Sequence, residues 1–266
     1  MMTRWRVIYT GFNNGYENMA LDEALLENFQ EGSAPVLRLY GWEPPAVSVG
    51  RFQKISGFLD IDKCEQKNVP VVRRMTGGGM IYHHRELTYS VVCTPEQLGV
   101  ERRPADAYRK ICGFLLEFYG RLGLEADFAV NLAMQGSGGR ENFCFSANEQ
   151  YDIVINGRKI GGNAQRWLKK AVFQHGSIPV ESCLEEAGEL LLSVPDNMMD
   201  SSTSLRELGV AESYSELFTL MRDSFFAPAD EDELTEAERA SAKRLLNEKY
   251  TSRGWNTDAD ENSTKA

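Results

Sequence analysis

No two cysteines in this chain stand at the C-x-x-C spacing of a metal knuckle, and no two histidines lie one helical turn apart. Its five cysteines (Cys64, Cys93, Cys112, Cys144, Cys183) are odd in number and scattered, and its three histidines are His83, His84 and His175. That pattern argues against a disulfide framework and predicts no structural zinc site. No apolar run approaches the length that spans a bilayer. The opening MMTRWRVIYTGF lacks the apolar core of a secretory signal, so a cytoplasmic protein is expected. Positive charge is also scarce. The formal net charge of −10 argues against a general binder of nucleic acid or of membrane surfaces, since both are anionic. The GxxxxGK[ST] order of a phosphate-cradling loop is missing, and no internal repeat is present.

What remains is a chain of 266 residues, long enough for one continuous core. WRVIYTG, VLRLYGW, AVSVGRF, VPVVRRM, LTYSVVC and AVFQHGSIPV read as strands. NMALDEALLENF carries the apolar stripe of a helix, with Asp22 and Glu23 near its start. ADAYRKICGFLLEFYGRLGL is the strongest helix, opened at Pro104, closed near Gly123, and with Cys112 on its buried face. From about residue 183 helical patterns dominate, in CLEEAGELLL, SYSELFTLMRDSFF and TEAERASAKRLLNEKY. Strands first and helices later predict an α+β fold of largely antiparallel sheets with flanking helices. A single domain over residues 1–250 is expected, with a disordered polar tail at 257–266.

Two stretches carry chemistry. RRMTGGGMIYHHRELTYSVV sets Gly77, Gly78 and Gly79 between strand patterns, an entropic cost that asks for a reason. Such a turn either lets main-chain N–H groups or a ligand approach closely, or is a simple bulge. Arg73 and Arg74 alternate faces, as do His83 and His84, so one member of each pair can face a given site. The second stretch, CFSANEQYDIVINGRKIGGNAQRW, places Cys144 ahead of a hairpin turning at Asn156-Gly157 and Lys159 at its far end. Taken alone, Cys144 between Phe143 and Phe145 fits a packed core cysteine, and Lys159 fits an exposed hairpin lysine.

Together with NMALDEALL, VLRLYGWEPPAVSVGRFQ and FQHGSIPV, these stretches resemble the biotin/lipoate protein ligase catalytic-domain family, on its lipoate side. The resemblance is closest to its octanoyltransferases and implies an α+β fold around an acyl tunnel. It implies acyl transfer from octanoyl-acyl-carrier protein through a thioester on Cys144 to a lysine of a carrier domain. That carrier would be a glycine cleavage H protein or the lipoyl domain of a 2-oxoacid dehydrogenase. Lys159 then meets the reacting carbonyl, and Arg73, Gly77, Gly78, Gly79, His83, Gly161 and Gly162 line the substrate. No metal and no cofactor are implied, save ATP and Mg²⁺ if the chain is instead an ATP-dependent lipoate ligase. A lipoyl amidotransferase and a non-catalytic lipoyl- or biotin-binding protein are the other readings. The chain's end soon after Trp255, where many ligases continue into an accessory domain, favours the transferase expectation. Gly79, His84 and Asn163 depart from the transferase pattern toward the ligases or toward neither. Arg158, Arg166, Lys169 and Lys170 are candidates for a basic face toward an acidic carrier.

Overall fold

The computed structural model describes residues 4–101, 103–131 and 151–257. Its strands are β1 (Trp5–Asn13), β2 (Val36–Trp42), β3 (Ala46–Val49), β4 (Val71–Arg73), β5 (Ile81–His83) and β6 (Glu86–Cys93). They continue as β7 (Ala126–Phe128), β8 (Ile153–Ile155), β9 (Arg158–Lys159), β10 (Gly162–Trp167), β11 (Val172–Pro179) and β12 (Ala229–Asp232). The helices are α1 (Gly15–Asn28), α2 (Ile61–Gln66), α3 (Pro95–Leu98) and α4 (Pro104–Arg121). Then come α5 (Leu184–Gly188), α6 (Tyr214–Asp223), α7 (Glu236–Leu245) and α8 (Arg253–Asn256).

The main sheet runs β10-β11-β6-β2-β1-β12. Its pairs from β10 to β2 are antiparallel, whereas β1 runs parallel to both β2 and β12. Every residue of β2 and β6 is buried, because helices cover both faces. On one face Leu37, Leu39, Tyr89 and Val91 pack against Ile111, Phe114, Leu115 and Phe118 of α4 and Leu217 of α6. On the other, Val36, Val92 and Phe173 meet Leu25 and Leu26 of α1. Asn14 caps α1 by accepting from the Glu17 amide, as expected where a strand gives way to a helix. The α+β reading holds, and most strand pairs are antiparallel, with β1–β2, β1–β12 and β3–β4 running parallel.

Two local readings change, and one strand appears where none was read. The glycine turn does not join β4 to β6. It crosses from β4, parallel to β3, to the short β5, antiparallel to β3 on its other side. The expected helix over CLEEAGELLL stops at Gly188, because Leu190 and Leu191 are drawn into the core of the small sheet, where Leu191 bridges Leu59. The acidic run ADED forms an edge strand, with Asp230 paired to Arg4 and Asp232 to Arg6. The NG hairpin forms as read: Asn156 (φ 50°) and Gly157 (φ 77°) turn β8 onto β9 with Val154 opposite Lys159.

Candidate active site

A cleft lies where β2, β6, β10 and β11 meet the glycine turn. Met19, Tyr40, Trp42, Ile81 and Ala164 give it an apolar lining, and polar groups converge between them. Arg74 is the arginine that faces it. The buried Arg74 guanidinium donates to the carbonyls of Gly77 (2.8 Å), Gly79 (2.6 Å) and Ser48 (3.2 Å) and to Ser48 Oγ (3.1 Å), so it braces the turn from within. Gly78, at φ 94°, lines the cleft, and an added Cβ there would sit 2.9 Å from the Arg74 guanidinium.

His83 is clamped. Its ring stacks on Trp42 at 3.7 Å, Nε2 lies 2.7 Å from Ser48 Oγ, and Nδ1 lies 2.8 Å from Glu86 Oε1. Because Ser48 Oγ accepts from Arg74, its own proton is available to Nε2, which leaves Nδ1–H to donate to the carboxylate. Glu86 also accepts from Thr88 Oγ1 and Ser177 Oγ, both at 2.6 Å, and Trp42 Nε1 donates to Thr88. The second polar wall is His175, whose Nε2 lies 2.7 Å from Thr76 Oγ1 and whose Nδ1 lies 3.4 Å from Asp22 Oδ2. Asp22 is buried and also accepts from Arg38 (2.7 Å), Ser90 (2.7 Å) and Tyr40 (2.9 Å). Burial alone would raise its pKa; the Arg38 guanidinium, helped by His175 and Ser90, holds it below the carboxylate range. Burial lowers that of His175 against the pull of Asp22, which leaves a neutral imidazole in the wall.

The remaining sequence-derived residues fall around this cleft unevenly. His83, Gly78 and Gly162 line it, while Gly77 and Gly79 stand behind it with their carbonyls on Arg74. Arg73 points away, onto the carbonyls of Gly50, Gln53 and Trp255. Gly161, at φ 81°, presses against the Ser177 carbonyl, which lies 2.1 Å from where a Cβ would stand. Lys159 is buried in an ion pair with Asp152 (2.6 Å) and is not among the lining residues. Cys144 lies outside the described residues. Of the expected basic face, Lys170 pairs with Glu31 and Arg158 with Glu207.

The catalytic-domain model of lipoyl protein ligases A and B matches residues 14–225. The chain belongs to that family. Among curated lipoyl-ligase-family relatives, the octanoyltransferase LipM of Halalkalibacterium halodurans is 34% identical over 96% of this chain and 99% of its own. LipM of Bacillus cereus is 35% identical over 95% and 98%. Among solved structures, a lipoate-protein ligase A bound with ATP superposes with a TM-score of 0.80 at 26% identity, covering 95% of this chain and 98% of its own. Protein Ta0514 of T. acidophilum with bound lipoic acid gives 0.79 at 25%, covering 95% and 99%. Within this family fold, the groups that pattern-reading passed over are Ser48, Thr76, Glu86 and Asp22, and of the arginine pair it favoured Arg73 where Arg74 faces the cleft. Asp22 had a signal, a carboxylate set within the buried stripe of Met19, Leu25 and Leu26 on α1. Glu86 and Ser48 had none, since strand alternation does not separate a buried polar residue from an exposed one.

Proposed function

We propose that the chain is an octanoyltransferase of lipoate assembly. Octanoate leaves the thioester of acyl-carrier protein for the Cys144 sulfur, releasing the carrier's thiol. The ε-amine of a lysine on a glycine cleavage H protein or 2-oxoacid dehydrogenase lipoyl domain then displaces that sulfur, and the thiol is regenerated. Exchange between thioesters is nearly isoenergetic and the amide lies downhill, so no ATP or metal enters. The observation that carries the reading is the apolar cleft beside the glycine turn in a chain whose near-full-length relatives are named octanoyltransferases. Burying an octanoyl chain there supplies about 5 kcal/mol at about 0.8 kcal/mol per methylene.

Support for Cys144 as the nucleophile comes from the other thiols. Burial pushes Cys64 up to about 11 and Cys112 and Cys183 to about 12, and raises Cys93 as well. None of those four is a ready thiolate at neutral pH. The positive charge for the developing alkoxide is assigned to Lys159 by the resemblance alone; its ammonium is paired with Asp152 and stands outside the cleft lining.

Incubation with octanoyl-acyl-carrier protein and intact-mass analysis tests the proposal. An octanoyl adduct is expected on the wild type and not on Cys144→Ala. An undiminished adduct on that variant, or none on the wild type, overturns it. Modification of a lipoyl domain from free lipoate, ATP and Mg²⁺ with Cys144 dispensable would instead make the chain a ligase. A lipoyl-protein preferred as donor would make it an amidotransferase.

A further inference from the structure

A second groove opens beside the turn between β5 and β6. It is lined by Tyr82, His84, Glu86, Cys183 and Thr203, among others, and Glu86 is shared with the network around His83. Here His84, Cys183 and Glu186 bring an imidazole nitrogen, a sulfur and a carboxylate oxygen within 4.8 Å of one another. Sequence spacing hides this group, because His84 is about a hundred positions from the other two. The fold assembles it rigidly. Cys183 precedes α5 and Glu186 follows three residues later, so both project from one side of the helix start. His84 sits in the tight turn between β5 and β6. The Arg85 carbonyl of that turn accepts the amides of Val180 (3.0 Å) and Glu181 (3.2 Å), which ties the turn to the segment leading into α5.

A further observation points to a cation. His84 Nδ1 is shielded from solvent and has no hydrogen-bond partner among the described residues, although a buried ring nitrogen ordinarily finds one. The Cys183 S–H faces the backbone carbonyls of His84 (3.5 Å) and Glu181 (3.8 Å). An imidazole, a thiol and a carboxylate are together a nitrogen, sulfur and oxygen donor set.

From this geometry we infer that His84, Cys183 and Glu186 bind a divalent cation of the zinc class, with a fourth position open to the groove. Mixed N, S and O donors select Zn²⁺ or Co²⁺ over Mg²⁺ or Ca²⁺, and three protein ligands leave room for water or a Ser202 or Thr203 hydroxyl. Binding converts Cys–SH and M²⁺ into a Cys–S–M bond and one released proton. Glu186 gives up its 3.2 Å pairing with Arg85, which keeps Glu181 at the same distance. The inference stands on these residues and does not depend on the octanoyltransferase reading.

The test is titration of the full chain, freed of metal by chelation, with Co²⁺ and then Zn²⁺. Expected are one equivalent bound, a thiolate-to-cobalt charge-transfer band in the near ultraviolet that Zn²⁺ bleaches, and one proton released per metal. Cys183→Ser abolishes the band, Cys144→Ser keeps it, and His84→Ala weakens binding at least about tenfold, as loss of a ligand does. Excess Mg²⁺ does not compete. No band on the wild-type chain, or a band that survives Cys183→Ser, overturns the inference. Should Cys183→Ser fail to fold, His84→Ala decides alone, and unchanged cobalt affinity there overturns it.

Discussion

At the scale of single residues, two glycines that look alike in the sequence differ in what surrounds them. Gly161→Ala forces a side chain into positive φ and against the Ser177 carbonyl, whereas Gly77 has nothing within 4 Å of an added Cβ. Thermal or urea unfolding is expected to show a loss of at least about 2 kcal/mol for the first. For the second the change stays within about 0.5 kcal/mol. Thiol chemistry separates the cysteines in the same way. Brief alkylation at mild pH, read by peptide mass spectrometry, is expected to mark Cys144 before Cys64, Cys93, Cys112 or Cys183, whose thiols burial holds protonated. Which residue types belong to the site was legible in the sequence, but their direction was only half so. Alternation dictated that one arginine of the pair would face the cleft; that it is Arg74 follows from Gly50, Gln53 and Trp255 offering their carbonyls to Arg73.

Between elements, the decisive joint is the one where α1 meets β2, β6 and β11 through Asp22, Arg38, Ser90 and His175. Asp22 and His175 both titrate lower folded than unfolded, so on acidification the unfolded chain takes up more protons and stability falls. His175, ordinarily near 6.5, faces Asp22, Arg74 and His83; its contribution is complete above that pH and drains away below it. The Asp22 contribution drains away below about 3.8. Chemical denaturation at a series of pH values is expected to show stability declining from pH 7 to pH 5, with a shallower decline in His175→Gln. Asp22→Ala strands the buried Arg38 guanidinium and is expected to cost about 3–5 kcal/mol. Elements with strong periodicity were legible: α4 runs from Pro104 as read, and the Asn156-Gly157 turn makes its hairpin. β12 was not, because ADED has the composition of a solvated loop. As a strand its Asp230 and Asp232 carboxylates pair with Arg4, just before β1, and Arg6, on β1.

For the molecule as a whole, packing continues past residue 250. α8 returns to β4: Asn256 Oδ1 accepts the Arg73 amide, Trp255 Nε1 donates to the Arg73 carbonyl, and Asn256 Nδ2 donates to the Tyr250 carbonyl. The strand that feeds the glycine turn is thus held by the C-terminal segment. Removing residues from 251 onward is expected to lower the melting temperature by several degrees, since about 1 kcal/mol shifts it by roughly 2–4 °C in a chain of this size. The same truncation is expected to weaken octanoyl loading more than the stability loss explains, measured as adduct formation at a temperature where both forms are folded. No helix among the described residues is long and apolar enough to cross a membrane. The sheet order has a further consequence, for the order of synthesis. β1 is made long before β12, yet it ends as an interior strand whose second neighbour is Ala229–Asp232. Until that late segment is made, β1 presents a bare sheet edge, to which the strand of another chain can pair.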